Sequence, residues 1–492
     1  MKIAILSSAS AGGAGIAAFR IYESFKATTN HEVDFFDMHA LGQVDLEVSP
    51  TNSATNGKIT NTHFTIDYAG DIRDWVIDLL AKYDVVNIQW SSYLISLAEI
   101  HELAKRGKNI LFTLHDFHYI TGGCHYPAGC LGYLKNCVGC PQVNEKLFSQ
   151  QAVIATNKLK RSIFSYPNVH LSAPSAFIVK SALNSGIVPK ERAHMLRNAY
   201  QPICDFESQK DTDVKSFLLI ADSFDEQRKG LALAVDSLKM ASESFRQKNV
   251  KVTLHLVGGL DVEVLTRLDG SGINVIRHGH IKEHERLVEI FKQCQFILSC
   301  SYEDNWPNIL VESGSYGCVP IVGKWHGCEE FVSTMGVGYT SNCYAAIDFS
   351  YAIALAVNSE PASFDLKLYV NKVRSMHAPA KVVAAYQDVI DGTQKHNVEH
   401  ENLQLGDNTY VSINHLVSLY TLSSKKNNHI QVVMLETPFG KQELLTKQFQ
   451  FASFDQVLNF IKKNSSSMNK NIDTYGLNQL NLLDASQLNE TN

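Results

Sequence analysis

Apolar runs and amphipathic segments alternate through the first part of the chain. KIAILSS (residues 2–8) is followed by a Gly-rich turn and then by GIAAFRIYESFKA, whose apolar residues recur at helical spacing. EVDFFDM (32–38), DVVNIQW (84–90), NILFTLHD (109–116) and NVHLSAP also read as strands. DIRDWVIDLLAKY, YLISLAEIHELAKRG, a long stretch ending near residue 164 and SAFIVKSALNSG read as helices. Residues 41–70 are polar and mixed, and no element is assigned there. Strands separated by helix-length segments predict a parallel sheet covered on both faces. The pattern restarts near residue 215: SFLLIAD (216–222), KVTLHLVGG, NVIRHGHI, QFILSCS and VPIVG are strands with helices between them.

The fold class is therefore α/β, with two tandem doubly wound, Rossmann-like domains facing a cleft and a small C-terminal extension. Doubly wound sheets bind ligands at the C-terminal ends of their strands, so two in tandem put those ends around a shared cleft. The expected organisation is an N-terminal domain over 1–196, a linker over 197–213 and a second domain over 214–365. Helices over 366–392, broken near Pro379, follow. A small α+β extension covers 393–463, with strands in HIQVVMLETPFG and QFQFASF and then a helix. The tail, 464–492, holds seven asparagines in 29 positions. No internal repeat is evident.

Composition narrows the class. The chain has 492 residues, 45% hydrophobic and 19% charged, with net charge −6. That describes a soluble globular protein of about two to four domains and offers no global basic field for nucleic acid. MKIAILSSAS lacks a signal-peptide core, and no apolar run reaches the ~18 residues of a membrane span. The expected location is the cytoplasm, where structural disulfides are uncommon.

Four stretches carry chemistry. In SSASAGGAGIAAFR (7–20), Gly12, Gly13 and Gly15 let backbone N–H groups approach a ligand at a helix N-terminus, although a plain strand–helix turn has the same composition. In TLHDFHYITGG (113–123), His115 and Asp116 end a strand at the cleft. Histidine there suits a substrate hydroxyl, with Asp116 and His118 on the acceptor side. In DEQRKG (225–230), Arg228 and Lys229 stand at the start of a helix, where cations are unfavourable unless an anion joins them. In SYEDNWPNILVESGSYGCVPIVG (301–323), Glu303 and Asp304 lie beyond a strand end, where carboxylates suit paired sugar or ribose hydroxyls. Glu312 sits in an otherwise apolar helix and needs a partner or a ligand.

EDNWPNILVESGSYGCVPIVG resembles the acidic-x7-Glu motif of glycosyltransferase family 4, retaining sugar transferases with a GT-B fold, with Asp304 and Glu312 at the acidic places. Asp304 stands where most members have Glu. RKG resembles the family's Lys-Gly, with Lys229 on the lysine; Phe224 replaces the usual arginine, whose phosphate contact falls to Arg228. GGAG, TLHD and the helix around AAYQDV match the same layout, so the resemblance covers about residues 1–392. The HD…TGGCHY…C…CxxCP run looks like a subset of bacterial surface-polysaccharide synthesis.

The resemblance implies a hexosyltransferase-like enzyme. It would move a sugar from a nucleoside diphosphate sugar to a glycan or lipid-linked glycan. Arg228 and Lys229 would hold the diphosphate and Glu312 the ribose. Glu303 or Asp304, with the backbone of Asn305, Trp306, Pro307, Asn308 and Ile309, would hold the sugar. Gly12 and Gly13 would line the acceptor and phosphate side, and His115 would lie beside the reacting sugar. Two fixed cations and a helix N-terminus would replace a divalent metal in catalysis. His115, Asp304 and Lys229 are the candidate catalytic residues. The rival readings are a nucleotide-sugar epimerase on the same fold, a non-catalytic sugar-binding protein and, less favoured, a zinc hydrolase. A lipid-linked acceptor would bring the enzyme to the inner face of the membrane. The helix with NKLKRSIF (157–164) is the candidate surface, through Lys158, Lys160 and Arg161 beside Ile163 and Phe164, although its local pattern fits an ordinary amphipathic helix better.

Four of the ten cysteines, Cys124, Cys130, Cys137 and Cys140, fall in one loop with C-x5-C-x6-C-x2-C spacing. Structural zinc, with His125 able to replace one thiol, is the leading reading. Packed reduced thiols, disulfides and an iron–sulfur cluster are the alternatives.

Overall fold

The computed structural model describes residues 1–42, 64–66, 72–145, 147–206, 210, 213–224, 226–259, 262–358 and 365–392, together with three strands between 418 and 451. Six parallel strands form the first sheet: β1 (Lys2–Ser7), β2 (Glu32–Phe36), β3 (Val85–Trp90), β4 (Asn109–Thr113), β5 (Val169–Ala173) and β6 (Ala193–Met195). Six more form the second: β7 (Val214–Ser223), β8 (Lys251–Gly259), β9 (Ile273–Gly279), β10 (Phe296–Ser299), β11 (Val319–Gly323) and β12 (Tyr339–Ser341). The continuous apolar runs are strands because both faces are covered: every residue of β10 and β11 is buried. β6 and β12, three residues each, escape the periodicity reading because so short a run carries no period.

Strand order places the functional loops. The first sheet runs β2-β1-β3-β4-β5-β6 and the second β12-β11-β10-β7-β8-β9. The order reverses between β1 and β3 and between β7 and β10, and ligands bind at such switch points. The Gly-rich turn follows β1, Arg228 and Lys229 follow β7, and Glu303 and Asp304 follow β10.

Residues 366–392 form two helices, Leu366–His377 and Pro379–Ile390. Pro379 stands at the start of the second, where its missing N–H costs nothing, and it prevents one continuous helix. The second helix packs on the first domain: Val382, Val383 and Tyr386 join Ile3, Ile5, Ile21 and Phe25 in one core. The three C-terminal strands, β13 (Ser418–Ser423), β14 (Ile430–Glu436) and β15 (Leu445–Phe451), form a separate antiparallel sheet. β14 and β15 fall in the two expected strand segments, and β13 was not anticipated. The helix expected after them, the Asn-rich tail and most of 41–70 lie outside the described residues.

The loop after β10 is held from below by the helix Gly327–Met335. The Gly327 N–H donates to the Asp304 carbonyl at 3.0 Å, and a Cβ built on Gly327 would stand 1.1 Å from the Asn305 carbonyl oxygen. Gly327→Ala should therefore push the 304–306 turn out of place and cost about 1–3 kcal/mol. Denaturant unfolding measures this, and an unchanged midpoint would contradict the close approach.

Candidate functional site

Arg228 and Lys229 occupy a 3-10 turn, Gln227–Lys229, directly before the helix Leu231–Gln247. Gly230, at φ +68, joins turn to helix, and a Cβ there would meet the Cys300 carbonyl oxygen at 2.1 Å. The turn thus lies flat against the end of β10. Both cations converge on Asp304: Lys229 Nζ reaches Oδ2 at 2.9 Å and Arg228 Nη1 reaches the same oxygen at 3.2 Å. Arg228 Nη1 also donates to the Glu303 carbonyl at 2.9 Å, and Nη2 to Glu226 Oε2 at 2.7 Å. Two cations at a helix start thus find carboxylates within the protein. Even so, among the described residues Arg228 Nε is a buried donor with no hydrogen-bond partner, and so is Trp306 Nε1.

The two adjacent acids have opposite electrostatics. Burial alone would raise Asp304, but Lys229 and Arg228 outweigh it and hold the carboxyl down at about 2. Burial dominates at Glu303 and pushes it up to about 7, against the Ala128 N–H at 2.8 Å and the nearby guanidinium. Glu303 therefore sits near its midpoint at neutral pH, beside a permanently ionised neighbour.

Glu312 lies in the helix Asn308–Gly314 and finds its partner across the chain. Arg20 Nη1 donates to Oε1 at 2.6 Å. Asn308, one turn earlier, donates from Nδ2 to the Gly13 carbonyl at 2.8 Å. Gly12, at φ +72, starts the helix Gly12–Thr28, and Gly13 follows it. The other members of the motif are largely engaged with protein. Asn305 Nδ2 donates to the Leu114 carbonyl at 2.9 Å, and its Oδ1 accepts from Ser175 Oγ. The Trp306 ring is buried under the Arg197 guanidinium at 3.8 Å. Pro307 caps the helix, and Ile309 packs on the core.

His115 stands at the end of a relay. Asn87 Nδ2 donates to the Leu111 carbonyl at 2.8 Å, and Gln89 Nε2 donates to Asn87 Oδ1 at 2.6 Å. Gln89 Oε1 is left as an acceptor for His115 Nε2, 2.7 Å away. Nε2 then carries the hydrogen and Nδ1 of the neutral ring is an acceptor. Burial lowers the His115 pKa to about 4, and the nearby Asp116 offsets only part of this, so the ring is neutral at pH 7.

Asp116 and His118 are expected on the acceptor side, and the structure places both in a buried polar cluster. Asp116 accepts the His118 N–H at 2.7 Å and pairs with His125 Nδ1 at 2.7 Å, and the His118 and His125 rings stack 4.6 Å apart. With His115, Gln89, Trp90, Ser91 and Tyr119 they line a cavity of about 10 Å³, room for roughly one water.

The helix Gln150–Ser165 corrects the membrane-surface expectation. Lys160 is buried and donates to the His118 and Thr121 carbonyls at 2.6 and 3.2 Å. Arg161 donates to the Tyr133 and Ser185 carbonyls, and Ile163 and Phe164 are core residues. Carbonyls of the loop after β4 and of Ser185 thus take the two cations. Gln150 adds two bonds to the Cys140 backbone, at 2.8 and 3.1 Å. Cys124 and Cys137 are buried, and Cys137 Sγ accepts the Gly122 N–H at 3.1 Å. Among the described residues no group of three or more His, Cys, Asp or Glu side chains is placed to hold a metal ion.

Sequence reasoning passed over several of these groups. Tyr126, from the cysteine loop, lies over the Arg228 guanidinium at 3.8 Å. Arg197 pairs with Glu330 at 3.1 Å, while Glu330 accepts the Ala176 and Phe177 N–H groups at 2.9 Å. Arg20, Gln89 and Glu226 belong to the same set. Arg20, Tyr126 and Glu226 lie inside the quoted stretches, but no spacing marks them out there. The one available signal was composition: an arginine or glutamate inside an apolar helix needs a partner.

Glu303 gives a pH prediction. Its carboxyl ionises near 4.5 in the unfolded chain and near 7 in the fold. Ionisation therefore favours unfolding as pH rises through this window, and stability present below pH 4.5 is lost by pH 7. Relative to Glu303→Gln, the wild type should lose up to about 3 kcal/mol between those limits. Parallel pH–stability curves for the two proteins would contradict the assignment.

Residues 205–373 match the family model of glycosyl transferases group 1. A protein described as a colanic acid biosynthesis glycosyl transferase, WcaC of Escherichia coli (strain K12), is 24% identical over 247 residues, which are 47% of this chain and 57% of that relative. The match thus spans little more than half of the relative's length. Among solved structures, the lipopolysaccharide outer core galactosyltransferase WaaB in its apo form superposes with TM-score 0.51 at 15% identity, covering 80% of this chain and 100% of that one. A sucrose-phosphate synthase from Thermosynechococcus elongatus gives TM-score 0.51 at 14% identity over 80% of this chain and 99% of that one. The fold is that of a GT-B glycosyltransferase, and its second domain carries the glycosyl transferases group 1 match.

Proposed function

We propose that this chain is a retaining glycosyltransferase. It transfers a sugar from a nucleoside diphosphate sugar to a hydroxyl of a glycan or lipid-linked glycan, in bacterial cell-surface polysaccharide synthesis. The observation that carries the reading is the pair Arg228 and Lys229, both within 3.2 Å of one Asp304 oxygen at the switch point of the matched domain. The buried, unpartnered Arg228 Nε adds to it. A diphosphate brings more negative charge than a single carboxylate and competes for the same donors.

In the reaction, the acceptor oxygen bonds to the anomeric carbon while the bond from that carbon to the diphosphate oxygen breaks. The electron pair leaves with the diphosphate, and the acceptor proton passes to the departing phosphate oxygen on the same face. Arg228 and Lys229 neutralise the charge that grows there, the task a divalent ion would otherwise perform. Asp304 and the 305–309 backbone hold the sugar, Glu312 accepts from the ribose diol, and neutral His115 accepts from a sugar hydroxyl through Nδ1. Gly12 and Gly13 bring backbone N–H groups to the same cleft. Zinc in the four-cysteine loop rests on spacing alone, and metal analysis of the purified protein tests it: sub-stoichiometric metal would end that reading. Contact with a membrane through a lipid-linked acceptor rests on the same functional reading and no longer on residues 157–164.

A panel of nucleotide sugars tests the function, with nucleotide release as the readout. Lys229 is part-exposed, so Lys229→Ala should fold and lose at least ~100-fold in turnover, equivalent to about 2.7 kcal/mol of transition-state stabilisation. Turnover of no donor would end the proposal. An epimerised donor formed without acceptor would replace it with an epimerase.

A further inference from the structure

We propose that Arg20 is a positioning residue for Glu312, fixing its carboxylate for the ribose of the donor; this rests on the ribose role proposed for Glu312. The two residues are 292 apart in sequence, yet Arg20 Nη1 donates to Glu312 Oε1 at 2.6 Å. The contact is part of a two-point clasp. Gly13 and Arg20 stand two turns apart on one face of the helix Gly12–Thr28, and Asn308 and Glu312 stand one turn apart on one face of the helix Asn308–Gly314. Asn308 takes Gly13 and Glu312 takes Arg20. Arg20 is itself fixed from behind, because its guanidinium lies over the Tyr200 ring at 4.9 Å, and Tyr200 Oη is 3.2 Å from His284 Nε2. The carboxylate is nearly buried, and among the described residues Arg20 is the cation paired with it, so its orientation depends on that contact. A carboxylate accepts about four hydrogen bonds. One held at Oε1 leaves capacity for a vicinal diol and stops the group from rotating away from it.

The test compares kcat/KM for an accepted nucleotide sugar and its 2′-deoxyribose analogue, using the full chain. In the wild type the deoxy donor should be poorer by ~10–100-fold, as for a hydrogen bond to a charged group. Glu312→Gln should collapse that ratio. Arg20→Gln should shrink it at least several-fold, mainly through KM for the donor, and Arg20→Lys should restore part of it. A full wild-type ratio in Arg20→Gln, even with lower activity overall, would overturn the proposal and leave the Glu312 role standing. A full ratio in Glu312→Gln would instead remove the ribose role and the proposal with it.

Discussion

The site depends on one carboxylate oxygen. Asp304 Oδ2 gathers Lys229 and Arg228 from the loop after β7 onto the loop after β10. Without it, two cations would face each other at the start of a helix whose dipole repels both. With it, Arg228 stays extended between Glu226, the Glu303 carbonyl and the Tyr126 ring. The arrangement forms where strand order reverses, because there the loops after two non-consecutive strands, β7 and β10, become neighbours.

The cost of that assembly is visible next door. A second acid, Glu303, shares the buried turn and is forced towards its neutral form. The turn accepts this because its backbone is tied on three sides: to Gly327, to Arg228 and, through Asn305, to Leu114. Rigid surroundings of this kind let a group remain near neutral pKa without rearranging. The protein spends backbone contacts so that charge on the side chains stays where an anionic ligand would meet it.

Much of this was legible in the sequence because it is local. The two restarts of the strand–helix pattern, the break at Pro379 and the acidic and basic motifs each lie within a short window. What could not be read is non-local. Arg20 and Glu312, or Tyr126 and Arg228, become partners only when two sheets and their loops are placed together. The two readings of residues 157–164, membrane surface and ordinary amphipathic helix, divide at the same point. Lysine, arginine, isoleucine and phenylalanine side by side suit a membrane surface. Here backbone carbonyls take Lys160 and Arg161, and a core takes Ile163 and Phe164. Periodicity tells which side of a helix is different, and the neighbouring loop decides what that side touches.

The last helix of the two-domain body has a consequence for synthesis. Val382, Val383 and Tyr386 complete a core that includes Ile3, Ile5, Ile21 and Phe25. The apolar residues of β1 and of the helix Gly12–Thr28 thus wait for a helix made much later. From residue 196 to residue 390 is 194 residues, or roughly 10–40 s of translation at about 5–20 residues per second. Throughout that interval the nascent N-terminal domain displays the apolar face that Pro379–Ile390 later covers.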